Sequence, residues 1–432
     1  MESNLIWIIT IAVIAIIFIP YAIKFRRSTH EAHHRREEAI RLGADKPIAQ
    51  YPSIDQLRCI GCGACVAACP EGDVLGVVMG KAVVINGLKC VGHGRCAEAC
   101  PVEGITVGLG DISTRNDIPF LSEHNETNIP GLYIAGELGG LALLRNAINQ
   151  GKMVVDYIKQ INDSPQTNAD VFDIIIIGAG PAGMSAALQA KKLGLKCLLI
   201  DQQDAGGTIL QYPRKKLVMT KPVEIPLFGI LTKPEYSKEE LLEIWLELMD
   251  KHIEQIQTSE KLIDVQKENG ILKVNTDKSN YLSSNVILAL GRRGTPRKLN
   301  IPGENLSKVM YKLMDAEAYQ NENLLVVGGG DSAIEAAMGL ARQKGNTVTL
   351  SYRKDKFFRI KKRNEQRIND FISSKKIEVL FNSNVEKITE KHVIINDGQT
   401  TQEIPNDYVF IFAGGEPPFE LLKNMGIQFG GN

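Results

Sequence analysis

Outside one short stretch the sequence almost lacks cysteine: seven of the eight lie between Cys59 and Cys100, and only Cys197 lies elsewhere. In a chain of 432 residues that distribution argues against a disulfide scaffold and for metal ligation in a reducing compartment. Net charge is lacking too. Fifty basic side chains balance fifty acidic ones, so no global field points to nucleic acid. The length suffices for two or three domains with substantial cores.

One run lacks charge altogether. Leu5 to Ile23 reads LIWIITIAVIAIIFIPYAI, which as a helix reaches roughly 28 Å, enough to span a bilayer. Trp7 and Tyr21 fall near its ends, as interfacial anchors do. Lys24, Arg26, Arg27, Arg35 and Arg36 follow, whereas only Glu2 is charged ahead of the run. This order predicts a single-pass anchor at 5–23 in the cell membrane with the bulk of the chain cytoplasmic; it is reversed for a cleaved secretory signal. Residues 24–50 read as a charged, solvated juxtamembrane segment, and His30, His33 and His34 as part of its solvated face rather than a metal site.

The cysteine stretch is an internal duplication. CIGCGACVAACP and CVGHGRCAEACP superpose at an offset of 31 residues, Cys59 on Cys90, Cys65 on Cys96 and Cys69 on Cys100, with His93 where the first copy has Cys62. The C-x2-C-x2-C-x3-C-P spacing wraps a loop around one iron-sulfur cluster and sends its fourth cysteine, turned away by proline, to another. Residues 51–110 resemble a bacterial two-cluster ferredoxin, a small α+β domain. The resemblance implies that Cys59, Cys62, Cys65 and Cys100 hold a [4Fe-4S] cluster, and that Cys69, Cys90 and Cys96 hold the second. Zinc is the competing reading of such cysteines, and the duplicated motif opposes it. His93 stays open, either as fourth ligand of a second [4Fe-4S] cluster or as the neighbour of a [3Fe-4S] cluster. Imidazole in place of thiolate removes negative charge and raises a cluster's potential.

Next comes TNIPGLYIAGELGG, residues 127–140, followed by apolar positions Leu141, Leu144, Ile148 and Val155 near helical spacing. This strand, glycine turn and helix resemble the second FAD-binding segment of thioredoxin reductase-like flavoproteins, with Gly136 and Glu137 at the turn; in that family the segment comes last in the chain. A polar linker at 162–170 follows. DIIIIGAGPAG, residues 173–183, then reads as a buried parallel strand and a G-x-G-x-x-G turn entering a helix. Gly178 permits the turn, Gly180 lets the backbone approach a pyrophosphate, and Gly183 lets helix and strand pack. Asp201 ends the next strand, placed to accept from a ribose hydroxyl. Both pieces resemble one FAD domain whose last part, 111–161, has moved ahead of its first, 171–295; residues 413–432 resemble the return towards that domain.

A second fingerprint, LLVVGGGDSAIEAA, puts Gly328, Gly330 and Ala333 in the glycine positions of a domain at 296–412. Asp201 is 23 residues beyond Gly178, and the same count from Gly328 gives Ser351 as the ribose-reading position. Ser351 is not acidic, and Arg353, Lys354 and Arg359 follow, a set suited to a 2'-phosphate and so to NADPH.

The expected class is therefore α/β: two Rossmann-like domains for FAD and NADPH, preceded by a transmembrane helix and a small α+β ferredoxin-like domain. By resemblance the chain is a ferredoxin fused to a ferredoxin-NADP reductase-like enzyme. It would carry FAD, NADPH and two iron-sulfur clusters and exchange electrons with an unidentified acceptor or donor. The membrane is an expected partner, a second copy of the chain a further candidate, and nucleic acid is not expected. A disulfide reductase and a non-catalytic redox sensor or subunit of a membrane complex are the alternatives. Against the first, no cysteine pair lies near the flavin segments, and disulfide reduction needs a thiolate.

Overall fold

The computed structural model describes residues 2–45, 47, 50–141, 143–161, 170–214, 216–219 and 222–431; of residues 2–6, 8–10 and 219 it describes the backbone alone. The expected linker at 162–170 lies, apart from Asp170, outside the described residues. The chain divides into two units, Met1–Gly110 and Asp111–Asn432.

In the first unit, helix α1 (Glu2–Arg41) runs without interruption through Pro20. Among the described residues no helix is long and apolar enough to cross a membrane. The expected span, 5–23, includes Leu5, Ile6, Ile8, Ile9 and Thr10, whose side chains lie outside the described residues. Trp7, Ile11, Ile14 and the run Ile16 to Ile19 are exposed. The later half of α1 differs from the solvated segment expected at 24–50. Ala32 and Ala39 are buried, Ala32 packs with Val78 and Ile85, and Arg35 donates to Asp73 at 2.7 Å. Alanines give the helix a flat stripe, and Gly76 leaves the room: a Cβ there would lie 3.3 Å from that of Ala32.

The stripe covers a hairpin of β2 (Leu75–Val78) and β3 (Lys81–Val84), beside the antiparallel pair β1 (Tyr51–Ile54) and β4 (Ile105–Gly108). Two short helices, α2 (Ala64–Ala68) and α3 (Arg95–Glu98), follow the first cysteines of each repeat. Each starts from a left-handed glycine, Gly63 at φ 76° and Gly94 at φ 81°, so the duplication extends to the backbone.

The second unit begins with β5 (Leu132–Ile134) and α4 (Leu144–Ile161). Then come β6 (Val171–Ile177), α5 (Pro181–Lys192), β7 (Cys197–Ile200), α6 (Lys238–His252), β8 (Ile256–Gln257), β9 (Leu262–Glu268), β10 (Ile271–Thr276) and β11 (Asn280–Leu288). These strands form one sheet in the order β8-β7-β6-β11-β10-β9. β5 joins it in parallel on β11, Leu132 opposite Val286 and Ile134 opposite Leu288. The run Ile174 to Ile177 is buried on both faces because successive side chains alternate. Ile174 and Ile176 meet the core that includes Trp245 of α6 and Val155 of α4, while Ile175 and Ile177 meet Leu132, Leu422 and Phe429.

A second sheet is all parallel, with β12 (Val309–Met310), β13 (Asn323–Val327), β14 (Thr347–Tyr352), β15 (Glu378–Phe381) and a last strand, Tyr408–Ile411, in the order β12-last-β13-β14-β15. Helix α7 (Asp331–Leu340) follows β13. An antiparallel meander at 384–405 flanks this sheet. Thr295–Pro296 and Gly415–Glu416, the two connections between the sheets, pair with one another. After them the chain returns to the first sheet, where Phe120 N–H donates to the Gln428 carbonyl at 2.9 Å and Gly431 N–H to that of Ser113 at 2.6 Å.

The first connection is shaped by a carboxylate. Glu304, nearly buried, accepts from the N–H groups of Leu299 at 2.6 Å and Asn300 at 2.7 Å and from the Tyr311 hydroxyl at 2.6 Å. Burial opposes its charge, but these donors prevail and hold its carboxyl below the usual range. A carboxylate with a depressed native pKa stabilises above its unfolded pKa, and that contribution fades as pH falls through the native value. Glu304→Gln therefore lowers stability by about 1.5–3 kcal/mol at pH 7. In urea unfolding followed by far-UV circular dichroism, the gap to the unsubstituted protein narrows below about pH 4.5.

Candidate functional site

The clustered cysteines of the first unit line two separate cavities. One is bordered by Cys59, Cys62, Cys65 and Cys100 with Val102. The other is bordered by Cys69, Cys90 and Cys96 with His93 and Glu71. Each cavity thus takes three positions from one repeat and a cysteine from the other. Among the described residues no three His, Cys, Asp or Glu side chains gather as a single ion requires. Donors arranged around a cavity suit a polynuclear cluster, whose irons hold the thiolates apart. Burial raises the thiols of Cys65, Cys69 and Cys96 and pushes that of Cys90 up to about 11. Bare thiolates are costly there, and iron is what would stabilise them. The N–H of Ala82 donates to Cys59 Sγ and that of Gly104 to Cys100 Sγ, both at 3.3 Å; such bonds tune a cluster's potential.

In the second unit the first dinucleotide turn is built as its spacing requires. Gly178 has φ 110°, and a Cβ on Gly183 would lie 1.8 Å from the Gly178 carbonyl oxygen, so only glycine lets α5 pack on the turn. Gly180 caps α5 with open space where a side chain would be. Asp201 sits beside the turn and accepts from the N–H of Ala179 at 2.6 Å and of Gln203 at 2.7 Å. Burial raises its carboxyl in spite of those donors. Across the sheet, Gly136 (φ 90°) precedes a single 3-10 turn, and its N–H donates to the Gln150 side chain at 2.8 Å. Glu137 keeps contact with solvent at that turn, although protein surrounds much of it. Burial raises its carboxyl against the pull of Arg292 and Arg293. Arg292 is itself nearly buried, paired with Asp117 and stacked on Phe419.

The second turn follows β13. Gly328 has φ 140°, Gly330 caps α7, and Ala333 is fully buried in the third glycine position. The ribose-reading position lies one residue beyond Ser351. Ile177 pairs with Ile200, which precedes Asp201, and Val327 pairs with Ser351, which precedes Tyr352. The turn bonds agree, since Gly178 N–H donates to the Ile200 carbonyl and Gly328 N–H to that of Ser351. Tyr352 therefore occupies the place of Asp201. Ser351 is buried, its hydroxyl 2.7 Å from that of Ser383. Counting residues failed because the segment from Gly328 to the end of β14 is one residue longer than that from Gly178 to Asp201. Arg353, Lys354 and Arg359 are exposed, and Arg359 and Arg353 lie close enough to oppose the rise that burial imposes on the Tyr352 hydroxyl.

Several residues had no recognisable sequence signal. Glu71 lies outside the cysteine motif, Gln150 sits unremarkably in a helix, and Tyr352 was hidden by the one-residue offset. Glu335 on α7 accepts from Lys216 at 2.9 Å and from Asn364 at 3.2 Å, contacts made by three distant segments. Cys197 lies in β7 against the sheet core, where burial and Asp173 push its thiol up to about 12. Packing of that kind fits a structural sulfur in the sheet.

The profile of the pyridine nucleotide-disulphide oxidoreductases matches residues 175–431, more than half of the chain. The chain belongs to this family. A 4Fe-4S dicluster domain profile matches residues 51–101, so the reductase carries a second, iron-sulfur module. Among its relatives are bacilliredoxin reductase Bdr of Bacillus subtilis, 28% identical over 260 residues, which are 59% of this chain and 80% of the relative. Ferredoxin-NADP reductase of Ignicoccus hospitalis is 30% identical over 275 residues, 60% of this chain and 82% of the relative. Of solved structures, bacillithiol disulfide reductase Bdr from Staphylococcus aureus matches with a TM-score of 0.54 and 30% identity, covering 60% of this chain and 81% of that one. The protein is an FAD-dependent NAD(P)H oxidoreductase of this family with the family's mixed α/β fold. The two glycine turns and the two cysteine-lined cavities are residues fit to hold FAD, NAD(P)H and iron-sulfur clusters.

Proposed function

We propose that this oxidoreductase is membrane-anchored, uses NADPH, and passes electrons between NADPH, FAD and two iron-sulfur clusters to an acceptor, through a flavin domain that is circularly permuted. One observation carries the reading. Seven cysteines line two cavities in the first unit, while the reductase unit holds only Cys197, whose thiol is pushed up to about 12. Disulfide reduction, the activity named for some relatives, runs through an attacking thiolate that this unit does not offer. When bound, the flavin takes an electron pair as hydride and the clusters take electrons singly. The chain's own part is to bind and orient. Gly178, Gly180 and Gly183 admit one pyrophosphate, and Gly328, Gly330 and Ala333 admit the other. Asp201 would accept from the flavin nucleotide's ribose, and Glu137, near Arg292 and Arg293, would lie beside the same cofactor.

The permutation is supported by β5 lying in the flavin sheet and by Gly431 bonding to Ser113, which joins the chain's end to the start of the displaced segment. It also accounts for the match to relatives, which leaves about a fifth of each uncovered. The anchor is supported by the exposed apolar side chains of α1 and the basic residues after them. NADPH is supported by Tyr352, which puts no carboxylate at the ribose position, and by Arg353 and Arg359 beside it.

Anaerobic NADPH titration of the full protein, followed by absorbance and electron paramagnetic resonance, should bleach the flavin and develop cluster signals. Bleaching without cluster reduction would detach the first unit from the electron path, and NADPH-driven disulfide turnover that survives loss of the cluster cysteines would establish the disulfide-reductase reading instead. Arg353→Ala combined with Arg359→Ala should raise KM for NADPH by about 10- to 100-fold and leave that for NADH nearly unchanged, the cost of losing charge-assisted bonds to one phosphate. Equal effects on both cofactors would remove the case for NADPH. Full-length protein should stay in the pellet after alkaline carbonate extraction of membranes and become extractable when residues 1–24 are deleted. Extraction of the intact chain would rule out the anchor.

A further inference from the structure

The two cavities are an internal control for one another, because the 31-residue offset relates the ligand positions of one to those of the other. Cys62 in the first corresponds to His93 in the second. The residue two beyond the crossing cysteine corresponds too: Val102, after Cys100, borders the first cavity, and Glu71, after Cys69, borders the second. The two differences meet. His93 Nδ1 lies 3.8 Å from Glu71 Oε1, and Glu71 is only 8% exposed. Where the position holds a thiolate its neighbour is apolar, and where it holds an imidazole its neighbour is a carboxylate.

A buried carboxylate needs a positive or hydrogen-bonding partner. A carboxylate beside a thiolate ligand would add a second negative charge to an already anionic cluster, which valine avoids. Beside a histidine, a carboxylate at ion-pair distance plays the part of the outer partners of metal-bound histidines, which fix the ring and its tautomer and make the other nitrogen more basic. Resting on the reading that 51–101 holds two clusters, we infer that Glu71 is a positioning residue that makes His93 the fourth iron ligand of the second cluster through Nε2. That cluster is then four-iron, with three thiolates and one imidazole.

The test uses the full chain purified anaerobically, with iron and sulfide analysis, paramagnetic resonance during potentiometric titration, and iron release to a ferrous chelator. The variants are Glu71→Val, His93→Cys and the two together, the last reproducing the first cavity's pair. Native protein should show two four-iron clusters with separate potentials. Glu71→Val should shift the signal and potential of the second cluster alone, and weaken its hold on iron by about 10- to 100-fold. In the His93→Cys background the same change should no longer weaken the hold on iron, and it should draw the two cluster potentials together by removing the carboxylate's charge. If Glu71→Val leaves the second cluster's signal and iron retention as in the native protein, or if the double variant loses that cluster as readily as Glu71→Val alone, Glu71 does not act through His93. A three-iron second cluster in native protein would overturn the ligation itself. Absence of iron and sulfide from native protein would instead overturn the two-cluster reading beneath it.

Discussion

Three residues of strand, Leu132 to Ile134, paired in parallel with Val286 to Leu288, hold the second unit together. Three residues of ladder are too little to be stable alone, and the strand persists because both of its faces are covered. Leu132 and Ile134 enter one core and Tyr133 the other, none of them more than 1% exposed. Each such side chain contributes about 1.5–3 kcal/mol of burial. Helix α4 adds to this grip: a Cβ on Gly151 would lie 2.1 Å from the Ala182 carbonyl oxygen, so glycine there lets α4 and α5 approach closely. The segment that carries Gly136 and Glu137 is therefore held by sheet and helix together, though it precedes β6 in the chain and is separated from β11 by most of the sheet's sequence.

A comparable dependence governs the first unit. Cys100 completes the cavity of the first repeat and Cys69 that of the second, so neither loop can enclose a cluster without the other. Where ligands come from both repeats, cluster binding and folding are one event, because the free energy of metal binding is also folding free energy. Symmetry of the backbone, visible in Gly63 and Gly94, then coexists with asymmetry of the ligands. The fold tolerates His93 because the exchange is local: His93 borders the second cavity as Cys62 borders the first.

Much of this was legible in sequence where a residue's role depends on near neighbours. The resemblance of the cysteine motif to two-cluster ferredoxins implied which thiols share a cavity, and the glycine turns announced themselves because each glycine answers a steric demand within a few residues. The position of β5 was legible through resemblance to a familiar segment in an unfamiliar order. Signals failed where distance along the chain mattered. The ribose-reading place was assigned to Ser351 by counting, but register is set by strand pairing, and Val327 meets Ser351 one residue before the strand end that Tyr352 occupies. Residues 24–50 read as solvated because charge hides a stripe of alanines, and only the facing Gly76 and Ile85 reveal it. Glu71 was invisible for the same reason: its partner, His93, is distant in sequence.

The two sheets of the second unit are joined unequally. Thr295–Pro296 and Gly415–Glu416 cross between them as a short antiparallel pair, and Glu304 fixes the backbone that follows the first crossing. Other ties between them include the ion pairs of Lys216 with Glu335 at 2.9 Å and Arg214 with Asp315 at 3.2 Å, each partly exposed, and a hydrogen bond from the Arg214 N–H to the Met314 carbonyl at 3.2 Å. Pairs of that kind contribute about 0–1 kcal/mol. Orientation of the nicotinamide sheet against the flavin sheet thus depends on the paired connections more than on the surface charges. Hydride transfer requires reacting atoms within about 3–3.5 Å. A connection as short as two residues on each strand, stiffened by one buried carboxylate, is what can set such a distance between two separately built sheets, and Glu335, bonded to both Lys216 and Asn364, couples the helix at the nicotinamide turn to that arrangement.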